Sequence, residues 1–360
     1  MSDALFNSFP GSDKNAWKEA AQKELSGKDP FTELTFDIGP ITLKPYYDES
    51  DTNGLQPETL DVAQDLYLGP RGWFNSPKVV VVDETTANNV ALNHLINGAD
   101  AVLFEISGPV SLDKLFSKIK LPYCAVFFLV DAAQSRLITD FEQYVTNKKV
   151  DTSQLVGGFF WTSPISSEIA SRAQAIKHWN RFNPLGIVVK PNSDPTKEIA
   201  EGLCEAVRVI SDAGKDSVSK ICFSINTGTD FFSDIAKLKC LRRLWRQIQG
   251  AYVAPQTHLH IHGISSPWTN EKYSPNGNMI KSTTSALSAV LGGCDSITVE
   301  SEDDKSPFKE RVARNVLNIL REESKLNQPA DPTAGSYFLE DCIEQFSQRA
   351  WQQFQDLVKS

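Results

Sequence analysis

The side chains that could do chemistry are concentrated in one short segment with three histidines at alternate positions, His258, His260 and His262. Imidazole is a common ligand of zinc and iron, so a metal site is one interpretation. Side chains on one face of a strand lie about 6.5–7 Å apart, and three of them cannot easily converge on one ion. Asp83 and Glu105 are candidate carboxylate ligands from other strands. A structural or ligand-binding role for the histidines is therefore favoured over a metal site.

The elements that must position these histidines form an alternating series. Eight apolar runs are recognisable, at 78–83, 99–106, 123–130, 154–161, 185–190, 220–226, 257–263 and 296–301. Helical periodicity fills most of the intervals, at 85–97, 132–147, 166–180, 195–213, 230–250 and 279–292. Such alternation is typical of right-handed βαβ units with a parallel sheet. Because eight strands favour closure, we predict an α/β protein with a (β/α)8 TIM barrel.

The last three predicted strands would give the barrel a polar interior. Alternate residues of a barrel strand face the axis. The apolar set, expected to face the helices, is Ile221, Phe223, Ile225, Leu259 and Ile261. The polar set, expected to face the axis, is Cys222, Ser224, Asn226, His258, His260, His262, Ser296, Thr298 and Glu300. This half of the axis is predicted to be a solvated channel or a hydrogen-bonded network, and large rings of the third and fourth strands are expected to fill the other half, namely Phe127, Phe128, Phe159, Phe160 and Trp161.

Three regions are expected along the chain. Residues 1–70 have too few apolar side chains for their own core and are predicted to form an extended N-terminal arm that lies on the barrel or contacts another subunit. Residues 71–328 are assigned to the barrel, including an amphipathic helix at 307–324. Residues 329–360 are predicted to form a turn and a C-terminal helical extension that packs on the barrel.

Composition excludes several classes of protein. A net charge of −9 disfavours nonspecific binding to nucleic acid. No apolar run approaches the ~20 residues that span a bilayer, and the first residues carry neither a basic nor an apolar signal segment. The six cysteines have no C-x-x-C spacing. We therefore expect a soluble cytoplasmic protein with reduced cysteines and with no nucleic-acid or membrane partner.

A series of motifs in the second half carries a family resemblance. The motifs are 230–232 (DFF), 242–245 (RRLW), 262–266 (HGISS), 278–283 (NMIKST), 291–297 (LGGCDSI), 311–315 (RVARN), 319–324 (ILREES) and 331–337 (DPTAGSY). In order and spacing they resemble the barrel of the adenosylcobalamin-dependent acyl-CoA mutases, in particular the methylmalonyl-CoA mutase family. Nearer the start, Trp17, 28–30 and 44–47 resemble the arm that wraps the partner subunit in that family.

Several positions depart from the catalytic members of this family. Those members have an R-x-x-Y-x-T-M-Y stretch before the first strand and S-G-Y-H-x-x-E-A-G after the fifth, whereas this chain has 69–74 (GPRGWF) and 188–194 (VVKPNSD). The family's glutamine is replaced by Ile264 and its arginine by Lys281, which lacks a bidentate fork. Only His262 remains where catalytic subunits contact the acyl thioester. The cobalamin motif D-x-H-x-x-G is absent from the 360 residues.

The resemblance therefore implies a small, non-catalytic subunit. Its vestigial substrate contacts would be His262, His260, Ser265, Asn226 and Lys281, with no catalytic residue among them. This chain alone is expected to bind no cofactor. Adenosylcobalamin would belong to a large catalytic subunit, and the heterodimer would interconvert methylmalonyl-CoA and succinyl-CoA.

Two other functions remain open from the sequence. The chain could be the acyl-CoA-binding subunit of a split mutase whose cobalamin domain is a separate chain. Adenosylcobalamin or CoA bound to the purified chain together with such a partner would favour this hypothesis. It could instead be a metal-dependent TIM-barrel hydrolase that uses His258, His260 and His262, and stoichiometric zinc would favour that one.

Overall fold

The strands of the computed structural model form a hairpin in the arm and one central parallel sheet. The structure describes residues 12–57, 59, 60, 68, 71–265, 277–303 and 305–359. The hairpin pairs β1 (Phe36–Ile38) with β2 (Ile41–Leu43). The central sheet contains β3 (Phe74–Asn75), β4 (Lys78–Val81), β5 (Ala101–Ile106), β6 (Ala125–Val130), β7 (Gly157–Trp161), β8 (Phe182–Val188), β9 (Ile221–Thr227), β10 (Ile261–Ser265) and β11 (Ser296–Thr298).

The central sheet closes through its first strand. Its strands lie in the order β3-β11-β10-β9-β8-β7-β6-β5-β4. Only Ser76 and Pro77 separate β3 from β4, so the two are one interrupted strand. The Ser76 amide donates to the carbonyl of Ile297 at 2.9 Å, whereas the Pro77 carbonyl accepts from the amide of Leu103 at 3.0 Å. This strand thus bonds to the last strand on one side and to the second on the other, and the predicted (β/α)8 barrel is confirmed.

Helices follow most of the strands and cover the barrel. Their bounds are α1 (Lys14–Glu24), α2 (Pro30–Glu33), α3 (Glu84–Ile96), α4 (Leu112–Leu115), α5 (Leu137–Asn147), α6 (Ser167–Ala173), α7 (Pro195–Ala213), α8 (Phe231–Ala251), α9 (Gly277–Leu291), α10 (Pro307–Glu322) and α11 (Tyr337–Lys359). Local sequence explains their ends. At α7, for example, the Asp194 carboxylate caps two amides, Pro195 occupies the first helical position, and Gly214 stops the helix with φ of 87°. Among these helices none combines the length and the apolar character that a bilayer crossing requires.

The main hydrophobic core lies between the sheet and the surrounding helices. The predicted outward set, Ile221, Phe223, Ile225, Leu259 and Ile261, is buried in this core. Three of the five rings expected to fill the axis are also here, which corrects that expectation: Phe128, Phe159 and Trp161. Because successive residues of a strand face opposite sides, Phe159 and Phe160 cannot both point inward. Phe128 stacks on Phe159 with ring centres 4.7 Å apart and stabilises the helical layer instead.

The described part of the arm packs on the C-terminal helix. Helix α11 itself lies against α7 and α8, and Phe346 and Ala350 are buried there. The Phe338 ring of α11 contacts Phe36 of the arm at 6.3 Å and Tyr47 at 5.6 Å between ring centres. The arm therefore reaches the barrel largely through the C-terminal helix.

Candidate functional site

The barrel axis is blocked by two stacked phenylalanine rings. Phe127 of β6 and Phe160 of β7 lie with ring centres 5.7 Å apart and are essentially inaccessible to solvent. Together with their apolar neighbours they form a second, smaller core inside the barrel: Ala101, Leu103, Ala125, Phe127, Phe160 and Cys222. Cys222 therefore faces the interior, as the alternation of β9 predicts.

Gly186 of β8 makes room for one of these rings. A Cβ atom at this position would lie 2.7 Å from Cδ1 of Phe160 and 2.8 Å from Sγ of Cys222. The atom nearest to such a Cβ would be the backbone carbonyl oxygen of Phe159, so a side chain here would clash with the β7 backbone as well as with the Phe160 ring. A glycine is therefore needed at position 186 of β8, because β7 and the Phe160 ring approach its backbone closely.

His260 and His262 complete the interior from the opposite side. The Nε2 atom of His260 lies 2.8 Å from Oγ of Ser296, and Nδ1 of His262 lies 2.9 Å from the same oxygen. A hydroxyl has one proton, so at least one of the two imidazoles donates to Oγ. The polar half of the axis is thus a hydrogen-bonded network, one of the two arrangements predicted, and two histidines share one serine.

These two histidines also continue the ring stack. The His262 ring centre lies 5.0 Å from that of Phe160, and the His260 ring centre lies 5.2 Å from that of Phe127. Burial lowers the pKa of His262 to about 3 and the pKa of His260 to about 4, although Asp295 acts in the opposite direction on His260. Both imidazoles are therefore neutral at pH 7, and neither is poised to donate a proton to a substrate. We call Phe127, Phe160, His260 and His262 the aromatic plug.

His258 does not join the other two histidines. Its Nε2 atom lies 2.5 Å from Oδ1 of Asp295, and the second carboxylate oxygen accepts from the amide of Ile261 at 2.8 Å and lies 3.3 Å from Arg242. The side chain is about half exposed, whereas His262 is fully buried. Within the described ranges, no group of three or more His, Cys, Asp and Glu side chains could hold a metal ion.

The remaining predicted contacts lie at the C-terminal ends of the strands. Asn226 and Ser265 sit at the ends of the adjacent strands β9 and β10, where Ile264 is paired with Asn226. Ser265 is buried and its hydroxyl accepts from the amide of Glu300 at 2.8 Å. Lys281 lies in the first turns of α9, and Ser266 of the same motif lies outside the described residues. The structure thus groups His260 with His262, whereas Ser265 is paired with Thr227, so strand alternation turns the side chains of Asn226 and Ser265 to opposite faces of the sheet.

An ion-paired lysine near the mouth is absent from the sequence-based set. Nζ of Lys78 lies 2.8 Å from Glu300 and 3.5 Å from Glu105. The alternation of β4 was the available signal, since Lys78 and Val80 share a face opposite to the buried Val79. Glu300 was expected to face the axis, whereas nothing in the sequence indicated that two distant carboxylates meet one lysine.

A comparison with protein families decides the affiliation. Residues 163–360, more than half of the chain, match the family described as methylmalonyl-CoA mutase. The chain belongs to the methylmalonyl-CoA mutase family. This is the family indicated by the motifs between 230 and 337, and the match begins well before them.

Some relatives of this mutase-family chain are named as a small subunit of the mutase, and others simply as the mutase. The "Methylmalonyl-CoA mutase small subunit" of Porphyromonas gingivalis is 26% identical over 396 residues, covering 98% of this chain and 64% of that protein. The "Methylmalonyl-CoA mutase" of Cereibacter sphaeroides is 24% identical, covering 94% and 57%. The "Probable methylmalonyl-CoA mutase small subunit" of Mycobacterium tuberculosis is 31% identical over 182 residues, covering 44% and 28%. The chain thus spans less than two thirds of these relatives.

Solved structures similar to this mutase-family chain are distant. The carboxyl transferase domain of Rhizobium etli pyruvate carboxylase with pyruvate has a TM-score of 0.40 and 12% identity, covering 86% of this chain and 57% of that one. Dihydropteroate synthase of Burkholderia cenocepacia has a TM-score of 0.37 and 13% identity, covering 69% and 92%. These values are too low to carry an argument about the site.

The loop after β8 is where catalytic mutases were expected to carry a tyrosine and a histidine. In this family member the loop is short, and hydrogen bonds to the start of the following helix, α7, fix its position. The amide of Asn192 donates to Oε1 of Glu198 at 2.7 Å, and Asp194 caps α7. Val189 is buried and Lys190 is exposed. The loop therefore brings neither an imidazole nor a phenol to the mouth.

Proposed function

We propose that this chain is the small, non-catalytic subunit of a heterodimeric adenosylcobalamin-dependent methylmalonyl-CoA mutase. In this proposal a large subunit holds the cobalamin and interconverts methylmalonyl-CoA and succinyl-CoA, and this chain supports it structurally. The names of relatives from Porphyromonas gingivalis and Mycobacterium tuberculosis support the subunit assignment. The six free cysteines agree with a reducing compartment such as the cytoplasm.

The aromatic plug is the observation that carries the proposal. An acyl thioester that reacts inside a barrel needs space along the axis and polar groups around its carbonyl. Here Phe127 and Phe160 fill that space, and His262 stacks on Phe160 with full burial. The Nε2 atom of His262 has no hydrogen-bond partner among the described residues, yet it is enclosed and out of reach of a ligand. This arrangement favours a barrel retained for its shape.

The residues present do not fit cobalamin either. In the cobalamin motif of the family, D-x-H-x-x-G, the histidine follows an aspartate by two positions, and no histidine among these 360 residues does so. His260 and His262 are committed to Ser296 inside the barrel, and His258 to Asp295. We therefore assign no reaction step to cobalamin on this chain and place the cofactor on the partner.

Co-purification tests the proposal directly. A tagged chain isolated from its native cell is expected to bring down one larger polypeptide in equal amount, with the cobalamin absorption spectrum following that complex. The complex should isomerise methylmalonyl-CoA, whereas the chain alone with added adenosylcobalamin should not. Isomerisation by the isolated chain would overturn the proposal, and adenosylcobalamin or CoA found on it with a separate cobalamin chain would favour the split-mutase alternative.

A substitution in the aromatic plug tests whether this chain takes part in catalysis or only supports the large subunit. His262→Asn in the complex is expected to leave kcat unchanged, because His262 contacts no substrate in this proposal. His178→Asn, at an exposed position, is the matched control. A large fall in kcat with His262→Asn, at unchanged amounts of assembled complex, would instead identify His262 as part of an active site.

A further inference from the structure

A basic cleft opens at the N-terminal end of the barrel, opposite the mouth. It lies between the segment that leads into β6 and the segment that leads into β7, and its volume is about 600 Å3. Four lysines and two tyrosines line it: Lys118, Lys120, Lys148, Lys149, Tyr123 and Tyr144. The cleft is separate from the aromatic plug, and neither the family affiliation nor the proposed subunit role uses it.

The acidic side chains of the cleft are already engaged. Asp113 forms an ion pair with Lys148 at 2.7 Å, and Asp151 accepts from both the amide and the hydroxyl of Ser153, at 3.0 and 2.7 Å. Within the described part of the chain, no ion pair involves Lys118, Lys120 or Lys149. The lining contains four lysines and two aspartates and therefore has a net charge of +2, whereas the whole chain has a net charge of −9.

Two of these lysines occupy backbone positions that favour glycine. Lys118 has φ of 63° and Lys149 has φ of 53°, each shortly after the end of a helix, α4 or α5. A cation at a helix end also interacts favourably with the helix dipole, which is an alternative reason for a lysine at each place. Lys325 also has a positive φ, 55°, shortly after the end of a helix, α10, but it does not line the cleft. It therefore serves as the control position for Lys118 and Lys149.

We propose that this cleft binds a nucleoside di- or triphosphate. Phosphate oxygens are strong acceptors for lysine ammonium groups, and the cleft offers three lysines that form no ion pair within the described ranges. Tyr123 is 83% exposed, and the Lys120 ammonium lies over one face of its ring, 6.0 Å from the ring centre, so a base would stack on the other face. The volume lies within the range of about 300–1,000 Å3 found for small-molecule sites, which favours such a ligand over an acidic protein segment.

Binding of ATP and of inorganic pyrophosphate to the full chain tests this inference. Isothermal titration at low ionic strength is expected to give saturable binding of both ligands, tighter for ATP. Lys118→Glu combined with Lys149→Glu should weaken both by about tenfold or more, because two attractive charges become repulsive. Tyr123→Ala should weaken ATP and leave pyrophosphate unchanged. Lys325→Glu is the matched control and should leave both affinities unchanged.

Each contrary result overturns a defined part of the inference. Absence of saturable binding of either ligand, or an undiminished affinity in the double variant, removes the site. An equal loss in Lys325→Glu means that overall charge, and not the cleft, attracts the anions. Equal affinities for ATP and pyrophosphate remove the nucleoside part. Unchanged thermal unfolding of the variants, measured in parallel, excludes loss of fold as the cause.

Discussion

His94, His260 and His262 are kept neutral by burial, and this makes their protonation state a property of the fold. Burial and the neighbouring Arg314 lower the pKa of His94 to about 4, and burial has the same effect on the two plug histidines. Each ring stays uncharged at pH 7, so burial carries no charge penalty there. The same side chains are ordinary titrating groups in the unfolded chain.

Acid is therefore expected to destabilise the protein well above the range where carboxylates titrate. The unfolded histidines have a pKa of 6.5, whereas the folded values for His94, His260 and His262 are about 4, 4 and 3. The neutral histidines make their full contribution to the free energy of unfolding above pH 6.5. This contribution falls as the pH drops from 6.5 toward 4, since only the unfolded chain takes up protons in that window. The loss is at most about 1.4 kcal/mol per pH unit for each histidine. Urea unfolding at pH 7, 6 and 5 measures it.

Single substitutions assign this pH dependence. His262→Asn should reduce the slope of unfolding free energy against pH, because one buried titrating group is removed. The exposed His178→Asn serves as the control and should leave the slope unchanged. A slope that is identical in His262→Asn and the unaltered protein would contradict a neutral, buried His262.

Helices α7 and α8 are linked by a buried lysine at the C-terminal side of the barrel. Nζ of Lys237 lies 3.0 Å from Glu198 of α7 and 3.0 Å from Asp234 of α8, and it donates to the carbonyl of Asn226 at 2.7 Å. Burial opposes its charge, but Asp234 and Glu198 outweigh burial and raise the pKa of Lys237. Glu198 also holds the loop after β8 through Asn192. Lys237 thus joins two helices and strand β9, and its partner Glu198 also holds the loop after β8.

Removal of this lysine is expected to be costly. Lys237→Met leaves two carboxylates buried without a counter-charge and should lower the free energy of unfolding by about 3–5 kcal/mol. Lys197→Met is the matched control, because Lys197 pairs with Glu201 at 3.9 Å on the exposed face of the same region. That change should cost no more than about 1 kcal/mol. Denaturant midpoints measure both, and equal losses would contradict the importance of the buried cluster.

At the scale of the whole molecule, one aromatic side chain joins the arm, a barrel helix and the C-terminal helix. Phe338 contacts Phe36 and Tyr47 of the arm and lies 5.1 Å from Phe232 at the start of α8, measured between ring centres. Phe36 and Phe232 remain 45% exposed, so the contact forms part of the surface. The arm is held by this ring cluster and by Ile38, Ile41 and Leu43, which are buried in the main core, so loss of one ring should loosen the arm without releasing it.

Phe338→Ala is expected to loosen the arm while the barrel stays folded. Limited proteolysis should then cut between residues 12 and 57 several times faster, with circular dichroism nearly unchanged, because Ile38, Ile41 and Leu43 stay in the core while the segment around Phe36 and Tyr47 loses its aromatic contact. Tyr337→Ala changes the neighbouring aromatic residue, which is 42% exposed, and should leave the cleavage rate unchanged. Equal cleavage of Phe338→Ala and the unaltered protein would mean that other contacts hold the arm.

The sequence alone determined the barrel and the character of its two faces. Eight runs at regular intervals gave the strand count, and the alternation in β9 correctly assigned Ile221 and Phe223 to the helices and Cys222 to the axis. These features are local, because strand periodicity and helix capping depend on neighbours along the chain. The motifs between 230 and 337 likewise sufficed to indicate the mutase family.

Only the tertiary structure decided what fills the axis. Phe160 points inward and Phe159 outward because of the register of β7 and the space left by Gly186 of β8, and neither is readable from one strand. Two histidines share Ser296, which lies more than 30 residues further along the chain, because β10 and β11 are neighbours in the closed sheet. Such contacts depend on how the strands are staggered around the barrel, and that stagger is fixed only when the sheet closes.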